Sequence, residues 1–243
     1  MTARRDGEAS GPRRGGLHRL GAAHRAHRYR VLFYVLLGTL AAAPLLTALH
    51  LGTNLLEVLL ASSLLMALLD APRTRWRVVL ITAMAVAVAL RVAPASTVHE
   101  RAATGALALA SVVALIAAAS AIRFALGAGV ITVERVFAAL SAYLLAGLFF
   151  GLLYWGIELT WPVSFGEAGT TTPARFPLST AIYFSFVTLA TLGYGDVVPK
   201  SDLARGLAVL EAVGGQLYIA VTIARLVGGY VTAGPADHDR RSR

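Results

Sequence analysis

Long apolar stretches separated by short polar links run through most of this chain. Hydropathy predicts six membrane spans: Val31–Leu49, Leu55–Leu69, Val78–Ala93, Ala102–Ile122, Val136–Ile157 and Gly206–Val231. The second and third are short and have charged residues near their ends, so we expect their flanking side chains to reach the interface. The pattern therefore predicts an all-α membrane protein with six transmembrane helices.

A shorter apolar stretch lies between the fifth and sixth spans. It runs over residues 177–190, opens with Pro177, and has Ser179 and Thr180 as capping residues. At roughly 14 residues it is too short to cross a bilayer, which needs about 20. We predict a re-entrant half-helix here.

Composition and charge fit a membrane protein. The chain is 57% hydrophobic and 14% charged, which is far from the composition of a soluble domain. Arginines are concentrated before the first span, after the second, between the fourth and fifth, and after the sixth. These segments share one side, and that side should be cytoplasmic. We predict a multi-pass plasma-membrane protein with both termini in the cytoplasm, and a first span that is retained rather than cleaved as a signal peptide.

The most specific motif follows the half-helix directly. It reads Thr191-Leu192-Gly193-Tyr194-Gly195-Asp196. Loops of the Thr-Val-Gly-Tyr-Gly type present successive backbone carbonyls that replace the hydration shell of K⁺ in potassium channels. Glycine lets alternate residues adopt backbone angles that a side chain disfavours, so that consecutive carbonyls can turn toward one axis.

The C-terminal part of the chain, from Glu134 to Val231, resembles the two-transmembrane pore superfamily of potassium channels, in particular its bacterial branch. The resemblance is carried by residues 184–189, by 191–199 with the filter-type motif, by Glu211–Ala220 and by Ala224–Gly228. It implies a homotetramer with one central pore, in which the loop between the fifth and sixth helices is the selectivity filter.

The resemblance also implies roles for individual residues. Thr191, Leu192, Gly193, Tyr194 and Gly195 would form the K⁺ sites, and Asp196 would attract cations at the outer mouth. Tyr194 would point into an aromatic cuff that includes Tyr183 and Phe184. The cavity would be lined by Ala212, Gln216, Ile219 and Ile223.

Three further residues of the sixth span are singled out. Glu211 is a carboxylate inside the membrane, which marks a functional candidate. We expect it to bond to the half-helix or to the back of the filter and to support the filter. Gly214 and Gly215 either bend the helix or allow close packing on the fifth helix, and the sequence leaves both open.

Two positions depart from the family pattern. Ala190 stands where a second threonine is common, and Leu192 stands where valine is commoner. Leu192 keeps an apolar side chain and contributes only its carbonyl, whereas Ala190 removes a hydroxyl behind the filter. A non-selective cation channel therefore remains an alternative to a potassium-selective one, and so does a non-conducting scaffold or accessory subunit.

The chain divides into four predicted parts. Residues 1–30 form a basic, disordered cytoplasmic tail, 31–126 a four-helix transmembrane region, 134–231 the pore module and 232–243 a short cytoplasmic tail. The fourth span has no arginine between Arg101 and Arg123, so an arginine-ladder voltage sensor is not predicted.

Other function classes lack support in the sequence. No clustered catalytic residues, phosphate-binding loop or metal motif occurs in it, so we expect no enzyme activity and no cofactor apart from permeant K⁺. The net charge of +9 follows the topology of the arginines, which argues against nucleic-acid binding. The basic N-terminus is expected to meet anionic lipid head groups.

Overall fold

The computed structural model describes residues 15–49, 53–70, 82, 98–127, 129, 131–169 and 176–232. In this part of the chain the long helices are α1 (Gly15–Ala48), α2 (Thr53–Asp70), α3 (Val98–Ala125), α4 (Val133–Thr160), α5 (Leu178–Leu189) and α6 (Asp202–Thr232). Apart from residue 82, the predicted third span, Val78–Ala93, lies outside the described residues, as do residues 1–14 and residues 233–243 of the predicted C-terminal tail.

Helix α1 begins earlier than the hydropathy pattern indicates. Residues 15–30 are predicted to belong to a disordered tail, whereas the structure has helix from Gly15 onward. Alanine, leucine and arginine in this stretch are good helix formers, and their propensity outweighs the glycines near its start. The backbone leaves helical geometry at His27 (φ −127°, ψ 15°), so two helical segments meet there at a kink.

Three helices of the described part are long and apolar enough to cross a membrane. They cover Ala108–Ala125, Val133–Thr160 and Asp202–Gly228, at the places of the predicted fourth, fifth and sixth spans. Helix α5 is a shorter apolar helix, in agreement with its prediction as a half-helix. The described part of the chain is mainly helical and contains three membrane-capable helices, and a total of six spans stays a prediction.

Helix α4 is the central element of the fold. Helices α1, α3, α5 and α6 all pack against it. The main core is built from buried residues of all five helices from α1 through α5, among them Leu36, Leu64, Val113 and Leu145. A second, aromatic core lies toward the C-terminal end of α4, includes Tyr154 and is shared with the middle of α5. The position of α5 is therefore set largely by α4.

Two short strands were not predicted. Strand β1 (Phe165–Glu167) pairs antiparallel with β2 (Val197–Pro199), with Phe165 opposite Pro199 and Glu167 opposite Val197. The pairing joins the loop after α4 to the chain that follows the glycine motif. Three-residue strands give too little alternation to be recognised in the sequence.

At the opposite end of the bundle, arginines connect α4 and α6 to the turn after α3. Arg135 and Arg225 both donate hydrogen bonds to the carbonyl of Gly127, and the Arg225 bond measures 2.5 Å. The Tyr29 N–H donates to Glu134 Oε2 at 3.2 Å, which anchors α1 just after its kink. Arg135, one of the arginines between the predicted fourth and fifth spans, thus also forms a specific contact.

Candidate functional site

The glycine motif begins within the C-terminal cap of α5. The N–H of Thr191 donates to the carbonyl of Thr188 at 3.0 Å, and the N–H of Leu192 donates to the carbonyl of Val187 at 2.9 Å. This pair of bonds is a Schellman motif, which satisfies carbonyls that a helix end leaves without partners. Because the first loop residues cap the helix, the position of the loop depends directly on that of α5.

Left-handed backbone conformations alternate along the motif. Thr191 has φ 55°, Gly193 has φ 58° and Gly195 has φ 76°. The residues between them, Leu192 and Tyr194, do not have positive φ. Glycine takes such angles without steric cost, and a Cβ on Gly193 or Gly195 would meet nothing within 4 Å. These glycines are therefore required by the backbone angle and not by lack of space.

Thr191 is the exception among the three left-handed positions. A β-branched residue rarely has positive φ, and the left-handed conformation costs roughly 1–2 kcal/mol for a residue with a side chain. Strain of this kind persists where neighbouring structure holds it, often at functional sites. Here the two capping hydrogen bonds hold the residue in place.

The loop is exposed in the single chain. Leu192 has 56% and Tyr194 66% of its surface accessible. Two large apolar or aromatic side chains on such a short loop are unusual at a free surface.

Asp196 is fixed by a side chain from α5. The Tyr183 hydroxyl donates to Asp196 Oδ2 at 2.8 Å. This hydrogen bond lowers the pKa of the Asp196 carboxyl below its ordinary value, and both side chains remain accessible. A carboxylate is therefore present at neutral pH beside the end of the loop.

Phe184 belongs to the aromatic core and not to the loop surface. Its ring lies 5.1 Å from that of Tyr154 and 5.4 Å from that of Phe165, both in edge-to-face geometry. Phe165 opens strand β1, so the aromatic core links α4, α5 and the strand pair. Within one chain Phe184 faces this core, and an aromatic cuff around Tyr194 stays a prediction.

Glu211 is completely buried where α4, α5 and α6 meet. Its Oε1 lies 2.5 Å from the Ser185 hydroxyl oxygen on α5, and its Oε2 accepts from the Tyr154 hydroxyl on α4 at 2.6 Å. Ser185 also lies 2.8 Å from the carbonyl oxygen of Gly147 on α4. The carboxyl group thus contacts the half-helix that the sequence analysis expects it to reach.

The sequence did not single out Ser185 or Tyr154, nor the two glycines of α4 against which α5 packs closely. A Cβ on Gly147 would lie 2.6 Å from the Phe186 ring, and one on Gly151 would lie 2.9 Å from the Ile182 Cα. The spacing of these glycines, Gly-x-x-x-Gly in an apolar helix, is a known signal of close helix contact. No local pattern identifies Ser185 or Tyr154.

Gly214 and Gly215 have different surroundings on α6. A Cβ on Gly215 would lie 2.6 Å from the Leu189 Cδ1, whereas one on Gly214 would meet nothing within 4 Å. Gly215 therefore packs against α5, and not against α4, the predicted fifth helix. Gln216 and Ile223 are exposed, Ala212 and Ile219 are half-buried, and much of the apolar surface of α6 has no partner in the single chain.

Comparisons with known proteins concern the same part of the chain. Residues 138–230 match the model of a family described as Ion channel. A segment of 57 residues is 37% identical to the voltage-gated potassium channel Kch of Escherichia coli (strain K12). That segment is 24% of this chain and 14% of the length of Kch, so the similarity concerns a small part of the relative. No solved structure matches the chain.

These comparisons support the class of protein. The C-terminal part of the chain is similar to ion channels at the level of the family, and both similarities are to channels rather than enzymes.

Proposed function

We propose that this chain is one subunit of a homotetrameric channel that conducts K⁺ passively and selectively across the plasma membrane. The ions pass through the loop Thr191–Gly195. The carbonyls of the loop, together with the Thr191 hydroxyl, replace the water shell of K⁺.

The observation that carries the proposal is the alternation of left-handed residues at Thr191, Gly193 and Gly195. An ordinary tight turn uses one or two such residues and then ends. Three of them at every second position let consecutive carbonyls turn toward one side of an extended loop. This loop lies between two helices long enough to span the membrane.

The exposed surfaces of the chain support a tetramer. A filter of this type is a set of carbonyl rings, and each of four subunits supplies one member of every ring. In four copies, Leu192 and Tyr194 pack against neighbours instead of facing water. The exposed apolar residues of α6 serve the same contact or face lipid: Val209, Leu210, Val213, Leu217, Val221 and Val227.

Other parts of the site take supporting roles in this proposal. Asp196 attracts cations at the outer mouth, while Tyr183, Phe184 and Glu211 hold α5 and the filter in place. Gln216, Ile219 and Ile223 line the cavity, and Gly214 supplies the freedom for α6 to bend. The Gly215 contact with Leu189 favours a packing role for that glycine.

The proposed topology has six spans, with both termini in the cytoplasm. The role of the four-helix region before the pore module does not depend on an arginine ladder. The basic residues before the first span contact anionic lipid head groups. Neither a cofactor nor nucleic acid takes part.

Ion flux from liposomes tests this function. The full chain is reconstituted in vesicles loaded with either KCl or NaCl, and efflux is followed with an uncoupler present to balance charge. We expect efflux from K⁺ vesicles only, and its loss in Gly195→Ala. Gly206→Ala is the matched control, because Gly206 has open space around its Cβ position and no positive φ.

Two results favour the alternatives. Equal efflux of K⁺ and Na⁺ indicates a non-selective cation channel and directs attention to Ala190. Stable tetramers with no efflux of either ion contradict conduction and favour a scaffold or accessory subunit.

A further inference from the structure

Three helices meet at one buried carboxyl group. Glu211 of α6 contacts Ser185 of α5 and Tyr154 of α4, and Ser185 reaches back to Gly147 of α4. Glu211 and Ser185 are fully buried, as is Tyr154. No other buried acidic residue occurs in the described part of the chain.

The number of hydrogens at this junction is informative. There are three contacts: Tyr154 to Glu211 Oε2 at 2.6 Å, Ser185 to Glu211 Oε1 at 2.5 Å, and Ser185 to the Gly147 carbonyl at 2.8 Å. Each needs one hydrogen between its two oxygens. Tyr154 and Ser185 supply one each, and a carbonyl supplies none. The third hydrogen has only one possible carrier, the carboxyl group of Glu211.

The surroundings also favour a neutral carboxyl group. A buried carboxylate needs a nearby cation or several donors to offset the loss of its hydration. Glu211 has no ion-pair partner among the described residues, in contrast to Glu134 and Asp202, which each have one or more. The titratable groups that face Glu211 from α4 are the hydroxyls of Tyr154 and Tyr143, neither of which is a cation, and α5 contributes only the Ser185 hydroxyl.

We propose that Glu211 carries a proton and donates it in a hydrogen bond to Ser185. Ser185 then donates to the Gly147 carbonyl, and Tyr154 donates to the other oxygen of Glu211. Gly147 and Tyr154 both belong to α4, so the bonds form a closed path from α6 to α5, to α4 and back to α6. Glu211 is a positioning residue, because it acts on the loop only through α5.

The proton matters because an ionised Glu211 competes for the hydrogen of Ser185. Ser185 would then donate to the carboxylate, and the Gly147 carbonyl would lose its bond to α5. Ser185 lies within one helical turn of the α5 residues that accept from the loop, Val187 and Thr188. Its consequence for ion flux rests on the proposed function, whereas the proton itself does not.

Infrared difference spectroscopy of the full chain in lipid tests the proton directly. The spectrum of Glu211→Gln is subtracted from that of the unchanged chain at neutral pH. We expect a C=O stretching band of a protonated carboxylic acid. This band should move to higher frequency in Ser185→Ala, because the acid hydrogen loses its acceptor. Carboxylate bands in the difference spectrum, without the acid band, overturn the proposal.

Paired variants provide a second test. The amide of Glu211→Gln copies the neutral acid, with an NH₂ that donates to Ser185 and a carbonyl that accepts from Tyr154. We expect its K⁺ efflux within about twofold of the unchanged chain, and a loss of more than tenfold in Glu211→Ala. Equal losses in both variants contradict a neutral donor.

The two readouts separate this inference from the proposed function. If the chain conducts no ions, the acid band and its shift in Ser185→Ala still decide whether Glu211 is protonated. If Glu211→Gln does not fold, the difference between the unchanged chain and Ser185→Ala still gives the position of the acid band. Its absence from both overturns the inference.

Discussion

Tyr183 on α5 and Asp196 at the end of the glycine loop are joined by a hydrogen bond of 2.8 Å. The Schellman cap already fixes the beginning of the loop to the end of α5. The loop is therefore attached to the same short helix at both of its ends. No side-chain hydrogen bond of Thr191–Gly195 occurs among those of the described residues, so α5 is the main support of the loop, together with the strand pair that follows it.

Removing the Tyr183 hydroxyl should loosen the far end of the loop. In Tyr183→Phe the Asp196 side chain loses its donor, while the ring and its packing are kept. We expect K⁺ currents that decay faster during sustained activity, by severalfold, with the initial selectivity unchanged. Tyr34→Phe makes the same chemical change on an exposed position of α1 and should leave the decay rate as it is. Equal decay rates in the Tyr183 variant and the unchanged chain would show that this bond does not hold the loop.

Strain at Thr191 gives a prediction with an unusual sign. In Thr191→Gly, a glycine, which takes positive φ without steric cost, occupies the position with φ 55°. We therefore expect the fold to be more stable by about 1 kcal/mol. The variant should at the same time lose its selectivity for K⁺, because the Thr191 hydroxyl is gone.

Thr188→Gly is the control for that variant. Thr188 lies inside α5, where glycine costs about 1 kcal/mol relative to a good helix former, so the control should be less stable. Thermal unfolding of the two variants in the absence of K⁺ measures the difference. A loss of stability in Thr191→Gly as large as in Thr188→Gly would mean that the residue is unstrained.

The two neighbouring glycines of α6 should respond differently to alanine. A methyl group at Gly215 collides with Leu189, and overpacking of this kind typically costs about 1–3 kcal/mol. Gly214→Ala has free space in the chain and should be neutral or slightly stabilising, because alanine is the better helix former. Thermal unfolding measures both, and Gly215→Ala should cost less in a Leu189→Ala background than in the unchanged chain, because the smaller side chain removes the collision. Equal changes in stability for Gly214→Ala and Gly215→Ala would contradict a close contact between Gly215 and Leu189.

Asp196 should raise conductance mainly at low salt. Asp196→Asn removes one negative charge per subunit at the proposed mouth, so cations are concentrated less strongly there. We expect a single-channel conductance lower by about twofold at low ionic strength, and a difference that shrinks in concentrated KCl as the charge is screened. Asp202→Asn, an exposed aspartate in the first turn of α6, is the matched control. A difference that persists at high salt would point to a structural effect of Asp196.

The sequence predicted the parts of this site that depend on local patterns. The glycines of the loop, the short apolar helix before it and the membrane-capable α3, α4 and α6 follow from composition and length. The junction of Glu211 with Ser185 and Tyr154 could not be predicted, because its members are separated by 26 and 57 positions and have no common spacing. Only Glu211 stood out, as a charge in an apolar span.

Other differences have the same origin. The strand pair joins Phe165 to Pro199 across the whole of α5 and the loop, and neither strand is long enough to show a pattern. The helix over residues 15–30 depends on helix propensity in a stretch that has no hydrophobic periodicity.

The reversal potential of the full chain in a planar bilayer tests the central claim most directly. With KCl on one side and NaCl on the other, the account predicts a value close to the equilibrium potential of K⁺. This value should be lost in Gly193→Ala, where the backbone has φ 58°, and kept in Gly206→Ala. A reversal potential near zero with robust current would contradict the account, because the loop Thr191–Gly195 would then not select K⁺ over Na⁺.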